Sequence, residues 1–111
     1  MQATIHAPDL NVTFAALADP TRRAILARLA EGEASVGELA RPFAMSLPAV
    51  SRHLKTLERA GLIRREKRAQ QRICRLAPEP LRDAVDWMAR YRGFWEGGLD
   101  ALARHLEEDD T

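Results

Sequence analysis

Side chains that can bind DNA recur at helical spacing in the middle of the chain. An apolar stripe at the same spacing, which must pack against a core, is formed by Val50, Leu54 and Leu57. The opposite face carries small, hydroxylated or cationic side chains, namely Pro48, Ser51, Arg52 and Lys55. Serine and arginine can hydrogen-bond base edges or phosphates, and lysine can neutralise a phosphate. The pattern therefore predicts a helix that enters a DNA major groove.

The ends of this helix carry residues that start and stop helices. Ser46 can cap the first turn with its hydroxyl, Pro48 suits that turn because it lacks an N–H group, and Gly61 can end the helix in a left-handed conformation. We expect the helix to run from Ser46 to Ala60. An ordinary amphipathic surface helix would show the same signals, so the flanking segments must distinguish between the two interpretations.

The flanking segments predict a helix before this one and a β-hairpin after it. Ser35 and Glu38 stand at capping-box spacing and begin a short helix that ends near Pro42. Residues 62–67 and 72–76 have the composition of two short strands around a polar turn at 68–71. The predicted fold is mainly α with a small β-hairpin, a winged helix-turn-helix that dimerises through its terminal helices.

Charge is distributed unevenly along the 111 residues, a length that fits one domain over 1–111. The net charge is +1, but residues 1–40 carry −2, residues 41–75 carry +8 and residues 76–111 carry −5. The basic block coincides with the predicted helix and hairpin, as a phosphate-binding surface requires. The alternative is a charged segment that only keeps the protein soluble.

Composition and motifs also narrow the class of protein. A single cysteine excludes an internal disulfide, and no apolar run is long enough for a membrane span or a signal peptide, so we expect a cytoplasmic protein without a membrane partner. We expect no enzyme, because a glycine-rich phosphate loop and a Ser/His/Asp or Cys/His set are missing. Cys74 is expected to be a small core residue, with redox sensing as the alternative.

The predicted contacts with double-stranded DNA come from the helix and the hairpin. The helix contributes Ser46, Leu47, Pro48, Ser51, Arg52, His53 and Lys55. The hairpin contributes Lys67, Arg68, Gln70, Gln71 and Arg72, which we expect to flank the minor groove and to add mostly non-specific attraction. Two interpretations of His53 stay open, since the ring can donate to a phosphate or pack against the preceding helix. A winged helix that binds another protein instead of DNA is the rival function, and the basic block argues against it.

Another capped helix is predicted near the N-terminus. Asp19 can cap it, Pro20 occupies its first turn, and its buried stripe consists of Ile25, Leu26 and Leu29, before a stop at Gly32. Arg22 and Arg23 are expected to be solvated, with a carboxylate or a DNA phosphate as alternative partners.

The C-terminal segment predicts a helix over 78–107 with two apolar stripes. The core of the chain can cover one stripe, and a twofold-related copy can cover the other. The predicted dimer interface comprises Phe14, Leu17, Leu81, Val85, Met88, Tyr91, Trp95, Leu99 and Leu102. Gly97 and Gly98 each cost a helix about 1 kcal/mol relative to alanine, which suggests a close backbone approach, a kink or a break. A kink there would frame a pocket for a small-molecule effector, whose identity the sequence does not give.

Three segments in the right order resemble the ArsR family of bacterial winged-helix repressors. They are Phe14–Leu26 (FAALADPTRRAIL), Ser46–Leu54 (SLPAVSRHL) and Leu57–Ile63 (LERAGLI), and the similarity extends over about residues 12–105. The resemblance implies a homodimeric regulator, usually a repressor, that binds an inverted repeat at its own or a neighbouring promoter. Leu47 departs from the polar residue that many relatives carry, so the operator sequence is not implied.

The resemblance also directs attention to two metal sites of the family. Where many members place paired cysteines, this chain has Ala40 and Pro42, which are not metal ligands. For the second family site, His105 and Glu108 match one half, whereas Arg92 and Phe94 stand where the other half would be. We therefore predict no metal and no cofactor.

Overall fold

The computed structural model describes residues 9–109. The helices are α1 (Leu10–Leu17), α2 (Pro20–Leu29), α3 (Val36–Ala40), α4 (Leu47–Arg59), α5 (Glu79–Met88) and α6 (Arg92–Asp109), with a 3-10 turn at Ala89–Tyr91. The strands are β1 (Ala34–Ser35), β2 (Ile63–Arg68) and β3 (Gln71–Leu76). The mainly helical winged helix-turn-helix predicted from the sequence is confirmed, with α3 and α4 as the helix-turn-helix and the β2–β3 hairpin as the wing.

The predicted helix caps are present. The Asp19 carboxylate accepts a hydrogen bond from the Arg22 amide at 3.1 Å, and the Ser46 hydroxyl accepts one from the Ala49 amide at 3.2 Å. At α3, the Ser35 hydroxyl accepts from the Glu38 amide and the Glu38 carboxylate accepts from the Ser35 amide, which completes the capping box. These bonds fix where α2, α3 and α4 begin.

The wing belongs to a three-stranded antiparallel sheet with the order β1–β3–β2. Ile63 pairs with Leu76 at the base of the hairpin, and Arg68 pairs with Gln71 at its tip. The connection is therefore shorter than the predicted turn at 68–71, and Ala69 adopts a left-handed conformation with φ of 53°. The two-residue strand β1, which pairs with Cys74 and Ile73 of β3, was not predicted.

The core lies where α2, α3, α4 and the base of the wing meet. Its buried members include the predicted stripes of α2 and α4, namely Ile25, Leu26, Leu29, Val50, Leu54 and Leu57, together with Leu39, Leu62, Ile63 and Cys74. The packing holds α4 by one face along its whole length. The other face of α4 is left at the surface.

The C-terminal segment differs from the single helix expected over 78–107. It is divided by the 3-10 turn into α5 and α6, whereas α6 runs without interruption through Gly97 and Gly98. A Cβ atom at either glycine would meet no atom within 4 Å, so no segment of the described chain approaches them closely. Within residues 9–109, no helix is both long and apolar enough to cross a membrane.

Candidate nucleic-acid interface

The exposed face of α4 presents the side chains that the sequence assigned to DNA. Pro48, Arg52 and Lys55 are exposed, Ser51 is half-buried, and these four residues line a shallow depression. Leu47 stands beside them with 56% of its surface exposed. Within residues 9–109, neither Arg52 nor Lys55 pairs with a carboxylate. The face therefore offers cationic donors that are open to a ligand.

Ser46 lies at the start of this face and already has a structural role. Its hydroxyl oxygen accepts the Ala49 amide as the N-cap of α4. The hydroxyl hydrogen can still be donated, because a serine hydroxyl both donates and accepts. The residue that starts the helix can thus also hydrogen-bond a phosphate oxygen.

His53 occupies the flank of α4 that faces α2. Its Nδ1 lies 3.2 Å from Nη1 of Arg22 and 4.0 Å from a carboxylate oxygen of Asp19. The guanidinium of arginine stays protonated and can only donate, so in this arrangement Nδ1 accepts and Nε2 carries the ring proton. Of the two interpretations of His53, the structure shows packing against a helix, and that helix is α2; the Nε2–H group remains as a donor.

Arg22 connects three elements through its guanidinium. Its Nε donates to the Ala16 carbonyl at 2.7 Å and its Nη2 donates to the Ala15 carbonyl at 3.1 Å, both in the last turn of α1, while Nη1 reaches His53 of α4. Arg23 donates to the Leu17 carbonyl at 2.7 Å. The expectation that Arg22 is solvated was wrong, because its half-buried side chain binds carbonyls in the last turn of α1. Arg23 is exposed, as expected, and also donates to one of these carbonyls.

Asp19 has a carboxylate that is stabilised in its charged form. The hydrogen bond from the Arg22 amide, with a smaller effect of the nearby Arg22 guanidinium, lowers the pKa of Asp19 below its ordinary value of 3.8. The N-cap hydrogen bond has the same effect at α3, where bonds from Ser35 lower the pKa of Glu38. Both helix starts are therefore held best while the carboxylates are ionised.

The tip of the wing is polar and exposed. Lys67 and Arg72 stand opposite each other in the β2–β3 register, and Gln70 and Gln71 are exposed beside them. In the described part of the chain, Lys67 and Arg72 form no ion pair. Both cations are available to a phosphate backbone next to α4.

Arg68, in contrast, is engaged by carboxylates from two elements. Its Nη2 lies 2.7 Å from Glu66 of the same strand and 3.0 Å from Glu33 of the segment that precedes β1. These contacts raise the pKa of Arg68, and the Arg68 guanidinium lowers the pKa of Glu66. No local sequence pattern indicates the contact with Glu33, because it joins residues far apart in the chain.

Two other arginines of the basic block support the wing itself. Arg65 is mostly buried and donates to Glu58 of α4 through Nε at 3.2 Å and Nη2 at 3.0 Å. Arg64 pairs with Glu79 of α5 at 3.7 Å. The block of +8 is therefore not one uniform surface, because part of it holds β2 against the neighbouring helices.

Cys74 lies on β3 inside the core. Its side chain is fully buried, and this burial raises the pKa of the thiol. Raising the pKa disfavours the reactive thiolate. Within residues 9–109, no group of three or more His, Cys, Asp or Glu side chains is arranged to hold a metal ion.

An aromatic series joins α1 to the C-terminal helices. Phe14 and Trp87 meet edge to face with ring centroids 6.0 Å apart, Trp87 and Tyr91 are 5.4 Å apart, and Tyr91 and Phe94 are 6.3 Å apart. Beyond this series, every residue of 92–108 is exposed. The apolar face of α6, defined as Trp95, Leu99, Leu102 and Leu106, is thus 48–63% exposed.

The predicted interface residues fall into two groups. Leu17 and Leu81 are half-buried against the core of their own chain. Phe14 is half-buried beside Trp87, whereas the remaining predicted residues are exposed along the C-terminal segment: Val85, Met88, Tyr91, Trp95, Leu99 and Leu102. The larger group lies exposed along the C-terminal segment from α5 to α6.

Comparison with known proteins gives similar proteins along most of the chain. A family model described as a helix-turn-helix domain matches residues 17–66, from the end of α1 into β2. The HTH-type transcriptional regulator Rv2034 of Mycobacterium tuberculosis is 41% identical over 111 residues, which cover 98% of this chain and 99% of that protein. The transcriptional repressor SdpR of Bacillus subtilis is 35% identical over 82 residues, with 74% of this chain and 91% of that protein covered.

Solved structures show the same similarity. The crystal structure of an ArsR family transcriptional regulator superimposes with a TM-score of 0.74 at 44% identity, covering 82% of this chain and 95% of that one. HlyU of Vibrio cholerae superimposes with a TM-score of 0.60 at 34% identity, covering 71% of this chain and 86% of that one.

Proposed function

The chain belongs to the ArsR family of winged helix-turn-helix, DNA-binding transcriptional regulators, which are not enzymes, and we propose that it acts as a homodimeric repressor of an inverted-repeat operator. In this proposal α4 of each subunit enters the major groove and the wing lies along the neighbouring backbone. The relative SdpR is named a transcriptional repressor, which supports repression as the direction of control.

The exposed face of α4 is the observation that carries this proposal. The buried stripe Val50, Leu54 and Leu57 fixes the helix against the core, so the opposite face is held rigidly at the surface. Small side chains at the start of that face let the helix approach base edges, while Arg52 and Lys55 supply donors that no carboxylate of the described chain occupies. An arginine so placed can bind a guanine edge, and a lysine can bind a phosphate.

Further contacts are proposed for the remaining predicted residues. Leu47, with its apolar surface exposed, suits the methyl group of a thymine. Ser46 and the Nε2–H group of His53 can donate to phosphates at the edge of the groove. Lys67, Gln70, Gln71 and Arg72 form the wing's contact with the backbone, and the contribution of Arg68 is reduced by the carboxylates that occupy its Nη2 group.

The homodimer is proposed from the apolar surface of the C-terminal helices. An isolated exposed helix that carries Trp95, Leu99, Leu102 and Leu106 on one face would leave a large apolar patch in water. A second copy of the same chain, related by a twofold axis, covers the patch with an identical one. Such a twofold axis relates the two α4 helices in opposite directions, and an inverted repeat has the same symmetry.

The proposal is tested by fluorescence anisotropy with the purified protein. The probes are the DNA upstream of its own gene and a scrambled duplex of equal length and composition, titrated from low to physiological salt. Tighter binding to the native sequence that survives physiological salt is the expected result, since non-specific phosphate binding fades as salt rises. Equal affinity for both duplexes, lost at physiological salt, would contradict recognition of this DNA. Absence of binding at low salt would favour the protein-binding module instead.

A further inference from the structure

Arg68 is the wing cation whose guanidinium is already engaged by carboxylates, through Nη2. Glu66 and Arg68 lie on the same face of β2, because side chains two positions apart in a strand point the same way. The guanidinium also contacts Glu33, so it is directed back along the hairpin towards the body of the domain. The two contacts, at 2.7 and 3.0 Å, both involve Nη2.

Glu33 reaches this position because of the chain path before β1. Gly32 has a φ of +147°, a conformation that L side chains rarely adopt, and it turns the chain from the end of α2 into β1. The next residue, Glu33, thereby lies beside the wing. Its neighbour Glu31, two positions earlier, is exposed and forms no ion pair within residues 9–109.

We propose that Glu33 and Glu66 compete with DNA phosphate for Arg68 and so set how strongly the wing binds any duplex. This inference rests on the proposed function and adds to it a pair of acidic residues that act against binding. A carboxylate and a phosphate oxygen use the same guanidinium donors, so only one of them is bound at a given N–H group. The side chains of these ion pairs are about half exposed, so replacing a carboxylate by a phosphate costs little free energy.

The consequence is that the wing cations are unequal. Lys67 and Arg72 can bind phosphates directly, whereas the charge of Arg68 is partly neutralised and its Nη2 group binds a phosphate only in place of Glu33 and Glu66. Because the competition is independent of base sequence, it lowers the affinity for operator and for scrambled DNA by the same factor. Removal of the competitor should also make the binding constant fall more steeply with salt, by at most the slope that about one additional phosphate contact produces.

The test compares Glu33→Gln with Glu31→Gln in the anisotropy assay on the scrambled and upstream duplexes at several salt concentrations. Both variants lose one negative charge from the same segment, but only Glu33→Gln removes one of the two carboxylates that hold Arg68 and leaves Glu66 as its remaining competitor. We expect Glu33→Gln to bind both duplexes about two- to fivefold more tightly than the unaltered protein at low salt, the range that exposed ion pairs supply. Glu31→Gln should show a clearly smaller change, and circular dichroism should show that both variants remain folded.

A second pair of variants shows whether the effect passes through Arg68. In an Arg68→Gln background, Glu33→Gln should no longer change the affinity, because the released cation is gone. An equal effect of Glu33→Gln and Glu31→Gln, or an effect that persists without Arg68, overturns the inference while the proposed function stands. Failure of the unaltered protein to bind any duplex at low salt overturns both.

Discussion

Nη1 of Arg22 lies 3.2 Å from Nδ1 of His53, so a single guanidinium joins carbonyls in the last turn of α1 to the helix that carries the proposed DNA-binding face. The contact is direct and spans 31 positions of the sequence. In the proposed dimer, α1 lies near the interface through Phe14 and Trp87, and α4 lies at the DNA. Arg22 is therefore placed to fix the angle between the two.

Replacing Arg22 should weaken the fold more than replacing its neighbour. Arg22→Ala leaves the Ala16 carbonyl and His53 without this donor and leaves the Ala15 carbonyl with the Ala18 amide alone, and we expect a loss of about 1–3 kcal/mol in the free energy of unfolding. Arg23→Ala removes one exposed bond to Leu17 and serves as the control, with a smaller loss. Urea unfolding measures both. Equal losses would contradict a special role for Arg22.

Acid should destabilise the protein partly through Asp19. Its pKa is lowered in the folded state, so its contribution to stability is complete above the ordinary value of 3.8 and disappears as the pH falls through the lower folded value. Asp19→Asn keeps a capping side chain but cannot titrate. The variant should be less stable than the unaltered protein near neutral pH and should converge with it in acid. Unfolding midpoints between about pH 2 and pH 7 test this, and a constant gap over the whole range would contradict it.

Arg52 and Arg72 should affect DNA binding in different ways. Arg52→Ala removes a donor from the exposed face of α4. It should weaken binding to the operator by about 1–3 kcal/mol and change the affinity for scrambled DNA little. Arg72→Ala removes a phosphate contact and should weaken both duplexes alike, with a shallower salt dependence. Anisotropy on the two duplexes separates these patterns. A uniform loss for Arg52→Ala would assign it to phosphate instead of a base.

A charge on the apolar face of α6 should dissociate the dimer. Leu99 is 63% exposed in one chain, so Leu99→Glu disturbs little within the protomer but places a carboxylate in the proposed interface. We expect the dissociation constant of the dimer to rise about tenfold or more, because changes to residues at the centre of an interface typically cost this much binding energy. Sedimentation equilibrium gives the dissociation constant. Leu47→Glu, a similar change on the exposed face of α4, is the control and should leave the dimer intact.

Local chemistry made much of this fold predictable. Ser35, Ser46 and Asp19 bind amides within three residues of themselves, so the sequence alone predicts the starts of three helices. The wing was predicted to within one residue at each strand end, because its strands follow each other directly. The short strand β1 was missed, since two residues carry little pattern and their pairing depends on β3, far along the chain.

Contacts between segments that are far apart in the chain could not be predicted from the sequence. Arg22 and Arg68 can each bind a carbonyl, a carboxylate or a phosphate, and only the fold brings particular partners within reach. The C-terminal segment was predicted as one helix over 78–107, with a close approach, a kink or a break suggested at Gly97 and Gly98, and the structure divides it elsewhere. Gly97 and Gly98 drew attention as weak helix formers, yet α6 passes through them, and the chain turns at Ala89–Tyr91, where no residue type signals a break.

The turn at Ala89–Tyr91 separates two properties of the proposed dimer: how its DNA-binding domains are oriented, and which side chains contact the bases. In the proposed dimer it lies between the helix that meets the twofold mate and the domain that reads the bases. In that dimer, a substitution that changed the direction of α6 would rotate the two DNA-binding domains relative to each other. Every side chain proposed to contact a base would stay the same. In the proposed dimer, the distance between the two halves of the operator thus depends on this short segment, and the base sequence of each half depends on α4.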